Sequence, residues 1–279
     1  MKLPVSVKIK TACRHEDRIF APGDRLRHDD AAVRDLMKAG AAATEVALDY
    51  LFLDKAASRP KNLIVILANG PSLPVDRIDA FKNCVTIGVN SILRSGFHPD
   101  FLALTDNGVI DRDGIGCFRS AEKSGTIFFF HNRVKPKGLK SIRFRRYLEK
   151  DDKTGARNAP LSETYAQGLP FGGTVTYTAL NLAYLMLKPL AGIKHIVIFG
   201  LDLNNGAHFY SPGFRRGIKF NQYDAIIENL ERVQEHVADS PVRIWNANPA
   251  SAVKCFPFLN PEKFLAGIRN GGVEIERVF

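Results

Sequence analysis

The sequence predicts an α/β protein with a Rossmann-like, doubly wound and mostly parallel sheet, preceded by a small amino-terminal β-rich module. Two observations predict the main domain: short apolar runs recur from residue 62 onward, and helical patterns separate several of them. Strands that are apolar along their whole length are buried on both faces, as in parallel sheets. Their alternation with helices is typical of doubly wound folds.

The amino-terminal part, residues 1–48, is predicted to be a β-β-α accessory module. The alternating segment VSVKIK and the segment Arg18 to Asp24 predict short strands. The segment Asp29 to Gly40 predicts a helix, because an acidic N-cap begins it and a glycine ends it. We expect Asp49 to Asn62 to connect this module to the Rossmann-like domain, which spans residues 60–279.

The main domain contains six predicted strands and three predicted helices. The strands are Leu63–Leu67, Cys84–Val89, Phe101–Thr105, Thr126–Phe130, His195–Gly200 and Val242–Trp245. The helices are Thr174–Leu187, Asn221–Val237 and Pro261–Ile268. Doubly wound folds bind ligands beyond the carboxyl ends of their strands, so the chemistry is expected in the loops that follow these strands.

Charge and cysteine content restrict the class of partner. The formal net charge of +10 favours an anionic partner, such as a nucleotide, a phosphorylated glycan or an anionic membrane surface. Nine Lys or Arg residues between Arg133 and Lys153 predict a solvated face or lid rather than a nucleic-acid surface. None of the four cysteines forms a CxxC pair, so no zinc site is expected. The simplest interpretation is that the cysteines are reduced thiols, which predicts a cytoplasmic protein.

Small polar residues follow several strands and open the longest apolar helix. They are Asn69, Gly70 and Ser72 after the first strand, Asn90 after the second, Gly172, Gly173 and Thr174 at the helix start, Asp202 after the fifth strand, and Asn248 and Ser251 after the sixth. Each segment alone also fits an ordinary turn or helix cap. None spells GxGxxG or a P-loop, so ordinary dinucleotide or Walker-type binding is not indicated.

In this order, the segments resemble the metal-independent bacterial sialyltransferases that use CMP-sialic acid, and the related Maf-type flagellin glycosyltransferases and MptE-like proteins. The run GGTVTYTALNLAYLM…IVIFGLDL carries most of this resemblance, which covers about residues 62–260. It implies a pocket for CMP. In that pocket Asn69, Ser72 and Asn90 would contact the nucleotide or its phosphate, and Asn248 and Ser251 the cytidine.

The resemblance also implies catalytic roles. Gly173 and Thr174 would contribute at the helix start, and Tyr210 would hold the leaving phosphate. The chain departs from the family at Asn204, where a second tyrosine is expected, and in Arg215–Lys219, which lacks the family's histidine. His208 is therefore the candidate general base.

The leading expectation is an inverting glycosyltransferase that needs no metal. It would transfer a sialic acid- or Kdo-like sugar from a CMP-linked donor, which is a co-substrate, to a glycan or lipopolysaccharide-type acceptor. We expect no other cofactor and no nucleic-acid partner. The protein would work in the cytoplasm or at the inner membrane face, and oligomers are allowed.

Two alternatives stay open. The first is an MptE-like pterin diphosphokinase that uses ATP and Mg²⁺, for which Asp106, Asp111 and Asp113 gain importance. Asp111 and Asp113 are the aspartates of a DxD triplet, although the pair Asp113-Gly114 indicates a turn. The second alternative is a non-catalytic nucleotide-binding module of a phage particle. His131, at the end of the fourth strand, is a further candidate pocket residue.

Overall fold

The computed structural model describes residues 6–8, 13–15, 18–20, 25–27, 46–149, 157–158, 160–203, 208–210 and 220–269. Four short strands come first: β1 (Ser6–Lys8), β2 (Cys13–His15), β3 (Arg18–Phe20) and β4 (Arg25–Arg27). β1 pairs with β4 and β2 pairs with β3, both antiparallel. The predicted helix Asp29 to Gly40 lies outside the described residues, and the division into two domains stays a prediction.

A seven-stranded parallel sheet forms the centre of the protein, which confirms the predicted Rossmann-like α/β class. The remaining strands are β5 (Leu63–Leu67), β6 (Val85–Val89), β7 (Phe101–Leu104), β8 (Ile127–His131), β9 (Ser141–Phe144), β10 (Leu148–Glu149), β11 (Arg157–Asn158), β12 (Lys194–Phe199) and β13 (Val242–Asn246). The sheet order is β13-β12-β5-β6-β7-β8-β9, and β10 and β11 form a separate antiparallel pair.

Helices cover both faces of the sheet. They are α1 (Val46–Lys55), α2 (Val109–Asp113), α3 (Ile115–Lys123), α4 (Val175–Leu187), α5 (Phe220–Val237) and α6 (Pro261–Arg269). Short 3-10 helices lie at Val75–Asn83, Asn90–Ser95 and Tyr165–Gln167. Among the described residues, no helix is long and apolar enough to cross a membrane.

The alternation of side chains along each strand divides the core into two layers. Ile64 and Ile66 of β5 point into a layer that holds residues of α1, α4 and α5. Leu63, Val65 and Leu67 point into the opposite layer, with residues of α2, α3 and α6. The α4 segment from Thr176 to Leu187 is buried throughout, which explains why its sequence is apolar on all sides.

The structure contains two elements that the sequence did not predict. The start of the predicted connection Asp49 to Asn62 is helical, because α1 runs to Lys55 and buries Leu51 and Phe52 in the core. The basic stretch contains the strand β9 at the sheet edge, with Phe144 buried, while most of its described lysines and arginines are exposed, as predicted for a solvated face. Both segments lack a clean apolar period, and tertiary packing decides their structure.

Candidate functional site

The order in which the chain adds strands to the sheet reverses between β5 and β12. After β5 the chain adds β6, β7, β8 and β9 on one side, and it later returns to place β12 and β13 on the other. The loops after β5 and β12 therefore begin side by side, at the carboxyl ends of adjacent parallel strands. Such a switch point is where doubly wound folds bind ligands.

The two loops at the switch point make close backbone contact. The Gly70 amide donates to the Gly200 carbonyl oxygen at 2.9 Å. Gly200 has φ of +75°, and a Cβ atom there would lie 2.5 Å from the Ala68 carbonyl oxygen. A Cβ atom on Gly70 would overlap the Asp202 carboxylate. Glycine is required at both positions because no side-chain atom fits between the loops.

Asp202 joins three loops through its buried carboxylate. One carboxylate oxygen accepts a hydrogen bond from Asn248 Nδ2, and the other accepts from the Ser72 amide at 3.1 Å. Ser251 Oγ donates to the Leu201 carbonyl oxygen at 2.6 Å. These contacts hold the loops after β5, β12 and β13 in one arrangement.

A cavity of about 380 Å³ opens above this junction. Eight of the predicted site residues line it: Asn69, Gly70, Asn90, Gly173, Thr174, Asp202, His208 and Tyr210. They come from the ends of β5, β6 and β12, from the start of α4 and from the segment before α5. The structure thus brings these residues together, as the sequence order alone could not show.

Four predicted residues do not line the cavity. Ser72, Asn248 and Ser251 form hydrogen bonds with Asp202 or Leu201. They hold the loops around the cavity without lining it. Gly172 lies against the Tyr177 ring, which occupies the space that a side chain at residue 172 would need. Their contacts with a ligand stay predictions.

The start of α4 faces the cavity with its first turn. Thr174 is the N-cap residue, and its side chain accepts a hydrogen bond from the Thr176 amide at 3.4 Å. Gly173 to Thr176 all line the cavity. Backbone amides at a helix start carry partial positive charge, so this wall suits an anionic group such as a phosphate.

Asn69 also lines the cavity, and its side chain has an unusual environment. Its side-chain Nδ2 donates to the Val89 carbonyl oxygen at 3.2 Å, which fixes the orientation of the amide. Its Oδ1 is buried and has no hydrogen-bond partner among the described residues. A ligand N–H or O–H group would satisfy this acceptor.

The segment from His208 to Tyr210 completes the cavity wall. The Phe209 amide donates to the Asn69 carbonyl oxygen at 2.9 Å, which ties the segment to the end of β5. The rings of His208 and Tyr210 stack with centroids 5.1 Å apart. The positions at which the chain departs from the resembled family, Asn204 and Arg215–Lys219, lie outside the described residues.

Sequence reasoning missed two cavity residues with useful chemistry. Arg112 lines the cavity, and its Nη2 donates to Asp106 Oδ2 at 2.7 Å. Tyr223 of α5 also lines it, and burial raises the pKa of this phenol, which keeps it a hydrogen-bond donor. Arg112 is the middle residue of the DxD triplet, a motif that is defined by its two carboxylates alone.

The carboxylates predicted for the alternative enzyme occupy different places. Asp106 lines the cavity and accepts from the Gly108 amide at 2.9 Å as well as from Arg112. Asp111 forms an exposed ion pair with Lys137, outside the cavity. Asp113 also lies outside it. The described part of the chain contains no cluster of three or more acidic, His or Cys side chains suited to a metal ion.

His131 is not part of the cavity lining. Its ring packs against Phe144 and Phe171, and its Nδ1 accepts from the Arg133 amide at 3.3 Å. Burial lowers the pKa of His131, and the nearby arginines Arg133, Arg143 and Arg146 lower it further. The neutral imidazole is therefore part of an aromatic cluster beside β9.

Comparison with protein families identifies the relationship. A family model described as 6-hydroxymethylpterin diphosphokinase MptE-like matches residues 44–207, more than half of the chain. The chain belongs to the MptE-like family. The matched part contains α1, β5 to β12 and the whole of α4, and it ends just before His208. The resemblance to MptE-like proteins is confirmed, whereas the resemblance to sialyltransferases and Maf-type enzymes stays a prediction.

Other comparisons add little. No curated protein matches the chain. Among solved structures, it is similar to alpha-N-acetylgalactosaminidase NagBb from Bifidobacterium bifidum, a quadruple mutant, with 10% identity and a TM-score of 0.19. The match covers 82% of this chain and 43% of that enzyme, so the chain spans less than half of its length. Such a low TM-score carries no argument about function.

Proposed function

We propose that the MptE-like chain is a diphosphokinase that transfers a diphosphate from ATP to the hydroxymethyl group of a pterin. The family match carries this proposal, because its model is described by that activity. The cavity supports it with a switch-point position and a helix start suited to phosphates. Its volume of about 380 Å³ lies in the range of small-molecule sites.

In the proposed reaction the pterin hydroxyl oxygen attacks the β-phosphorus of ATP. A new O–P bond forms, the bond between the β-phosphorus and the oxygen bridging to the α-phosphorus breaks, and AMP leaves with that oxygen. His208 accepts the hydroxyl proton, and Tyr210 donates to a phosphate oxygen. The first turn of α4, beginning at Thr174, and the Arg112 guanidinium bind the phosphate charge.

Mg²⁺ normally accompanies ATP and neutralises charge on its phosphates. Asp202 does not suit this ion, because its carboxylate is buried and joins the loops through hydrogen bonds from Ser72 and Asn248. Asp106 fits better, because it lines the cavity and its side chain is 35% exposed, so a metal beside the phosphates can reach it. Asp106 would be the protein ligand to a metal that the phosphates also hold.

The direct test incubates the protein with ATP, Mg²⁺ and 6-hydroxymethylpterin and measures AMP and the pterin diphosphate by chromatography and mass spectrometry. We expect equal amounts of both products. The variant His208→Gln should lower kcat by roughly 10²–10⁴-fold. Tyr147→Phe, a half-buried tyrosine outside the cavity, is the control and should keep full activity. Release of ADP instead of AMP, or no pterin product, would contradict the proposal.

A second candidate function is transfer of an acidic sugar from a CMP-linked donor. It is favoured by one observation: His208 and Tyr210, the candidates for base and phosphate donor, line the same cavity as the α4 start. The acceptor would be a glycan, and the basic stretch around β9 would attract its phosphates or an anionic membrane. CMP release from CMP-sialic acid in the presence of EDTA, without turnover of ATP, would select this candidate over the first.

A further inference from the structure

The Tyr210 ring is held from outside the cavity by Arg94. The Cζ atom of Arg94 lies 4.7 Å from the centroid of the Tyr210 ring. Arg94 belongs to the 3-10 helix Asn90–Ser95 that follows β6, whereas Tyr210 follows β12 far along the chain. Tyr210 is among the residues that line the cavity, whereas Arg94 is not.

Arg94 is in turn next to a buried carboxylate. The side chain of Asp113, at the end of α2, is 0% exposed, and its Oδ1 lies 3.9 Å from Arg94 Nη1. Neither Asp113 oxygen has a hydrogen-bond partner among the described residues. A buried carboxylate needs a compensating cation, and Arg94 supplies it here. The attraction restrains an arginine that is otherwise 42% exposed.

We propose that Arg94 is a positioning residue for Tyr210 and that Asp113 holds Arg94 in place. The three side chains lie in the segments that follow β6, β7 and β12, so the contact joins three separate segments of the chain. The inference rests on the proposed function in one respect, that Tyr210 contacts a phosphate of the bound nucleotide. It applies equally to ATP and to a CMP-linked donor.

The arrangement predicts how Arg94 acts. A guanidinium over an aromatic face orients the ring and leaves its hydroxyl group free to reach the cavity. Removing the guanidinium should therefore weaken nucleotide binding only while that hydroxyl group is present. An arginine that contacted the nucleotide itself would matter equally with tyrosine or phenylalanine at residue 210.

The test is a double-mutant cycle with Arg94→Gln and Tyr210→Phe, measured as the Kd for ATP with Mg²⁺ and for CMP by titration calorimetry. We expect Arg94→Gln to weaken binding about two- to fivefold in the wild-type background, the size of an exposed cation–π contact. In the Tyr210→Phe background it should change the Kd less than the error of the measurement. Equal weakening in both backgrounds, or none in either, would overturn the proposal.

A second measurement needs no ligand. Hydrogen exchange of the Phe209 amide reports how firmly the segment is held, because this amide bonds to Asn69. Arg94→Gln should speed the exchange of this amide severalfold, and Asp113→Asn should speed it to a smaller extent. The exchange rate in Arg94→Lys should lie between those of the wild type and Arg94→Gln. Unchanged exchange in Arg94→Gln would overturn the positioning role, and unchanged exchange in Asp113→Asn would overturn the part assigned to Asp113.

The control variant is Arg119→Gln, an exposed arginine on α3 outside the cavity, and it should leave both readouts unchanged. The two proposals fail separately. If the wild type binds neither nucleotide while Arg94→Gln still speeds exchange at Phe209, the proposed function falls and the positioning role stands. If nucleotides bind and the cycle shows no coupling, the positioning role falls and the proposed function stands.

Discussion

The amino ends and the carboxyl ends of the strands in the central sheet, called here the amino edge and the carboxyl edge, differ in how they use buried polar groups. At the amino edge, Asp100 Oδ2 accepts from the Thr86 amide at 2.9 Å, from Thr86 Oγ1 at 3.1 Å and from Arg59 Nη1 at 2.6 Å. At the carboxyl edge, Asp202 is similarly occupied, but the neighbouring Asn69 Oδ1 has no partner among the described residues, and a cavity opens beside it.

This difference separates stability from binding. Where polar groups are fully satisfied by protein, a mutation removes folding free energy and little else. Where the backbone is constrained and a hydrogen-bond acceptor without a protein partner lies beside a cavity, a mutation of the surrounding residues should also reduce ligand affinity. Variants at the amino edge should therefore change unfolding alone, whereas variants at the carboxyl edge should change both unfolding and nucleotide binding.

The largest effect on stability is expected at the amino edge. Asp100→Ala removes the partner of the partly buried Arg59 and leaves the Thr86 amide without its acceptor. We expect a loss of about 3–5 kcal/mol in the free energy of unfolding, measured with urea. Asp79→Ala, which breaks the exposed pair with Lys82, should lose less than about 1 kcal/mol. Similar losses in both variants would contradict the distinction between the edges.

The next effect is expected at the carboxyl edge, at Gly200. Gly200→Ala places a methyl group against the Ala68 carbonyl oxygen in a backbone with positive φ, and we expect a loss of about 1–3 kcal/mol. Because the β5 and β12 loops must separate, nucleotide affinity should fall as well.

Gly192→Ala is the matched control for Gly200→Ala. Gly192 has φ of +76°, close to that of Gly200, but nothing lies within 4 Å of its missing Cβ atom. It should reproduce the backbone strain and leave nucleotide affinity unchanged. If Gly192→Ala also weakened nucleotide binding, the effect of Gly200 could not be assigned to the junction of the two loops.

The contrast also explains what could be predicted from sequence. Apolar strands such as Leu63–Leu67 and the polar residues after them are local patterns, so six of the seven strands of the sheet and part of the cavity lining follow from them. Packing at a distance has no local pattern. Arg94 and Arg112 reach the site through the positions of β6 and α2, and Asn248 turned out to brace Asp202 because the fold directs its side chain there.

A smaller effect is expected at the start of α4. Thr174→Ala removes the N-cap acceptor of the Thr176 amide and should lower stability by about 1–2 kcal/mol, with weaker nucleotide binding because the first turn frays. Thr164→Ala removes a comparable cap, that of the 3-10 helix Tyr165–Gln167, away from the cavity. Thr164→Ala should lower stability, measured by urea unfolding, and leave nucleotide affinity, measured by titration calorimetry, unchanged. Equal loss of binding in both variants would argue against a phosphate at α4.

The smallest expected effect returns to the amino edge and depends on pH. Burial raises the pKa of the Cys84 thiol from 9.0 to about 12. The unfolded chain therefore loses this proton first, so the contribution of Cys84 to stability is complete below pH 9 and is lost as the pH rises from 9 towards 12. At pH 9.5 the loss should be about 0.8 kcal/mol.

Cys84→Ala isolates this contribution, because Cys255 and the other titrating groups remain in both proteins. The decrease in the free energy of unfolding between pH 8 and pH 9.5 should be smaller in the variant by that amount, in urea titrations at both pH values. An identical decrease would mean that water reaches the thiol in the folded protein. The amino edge would then be open to solvent, and the contrast between a closed edge and a binding edge would be lost.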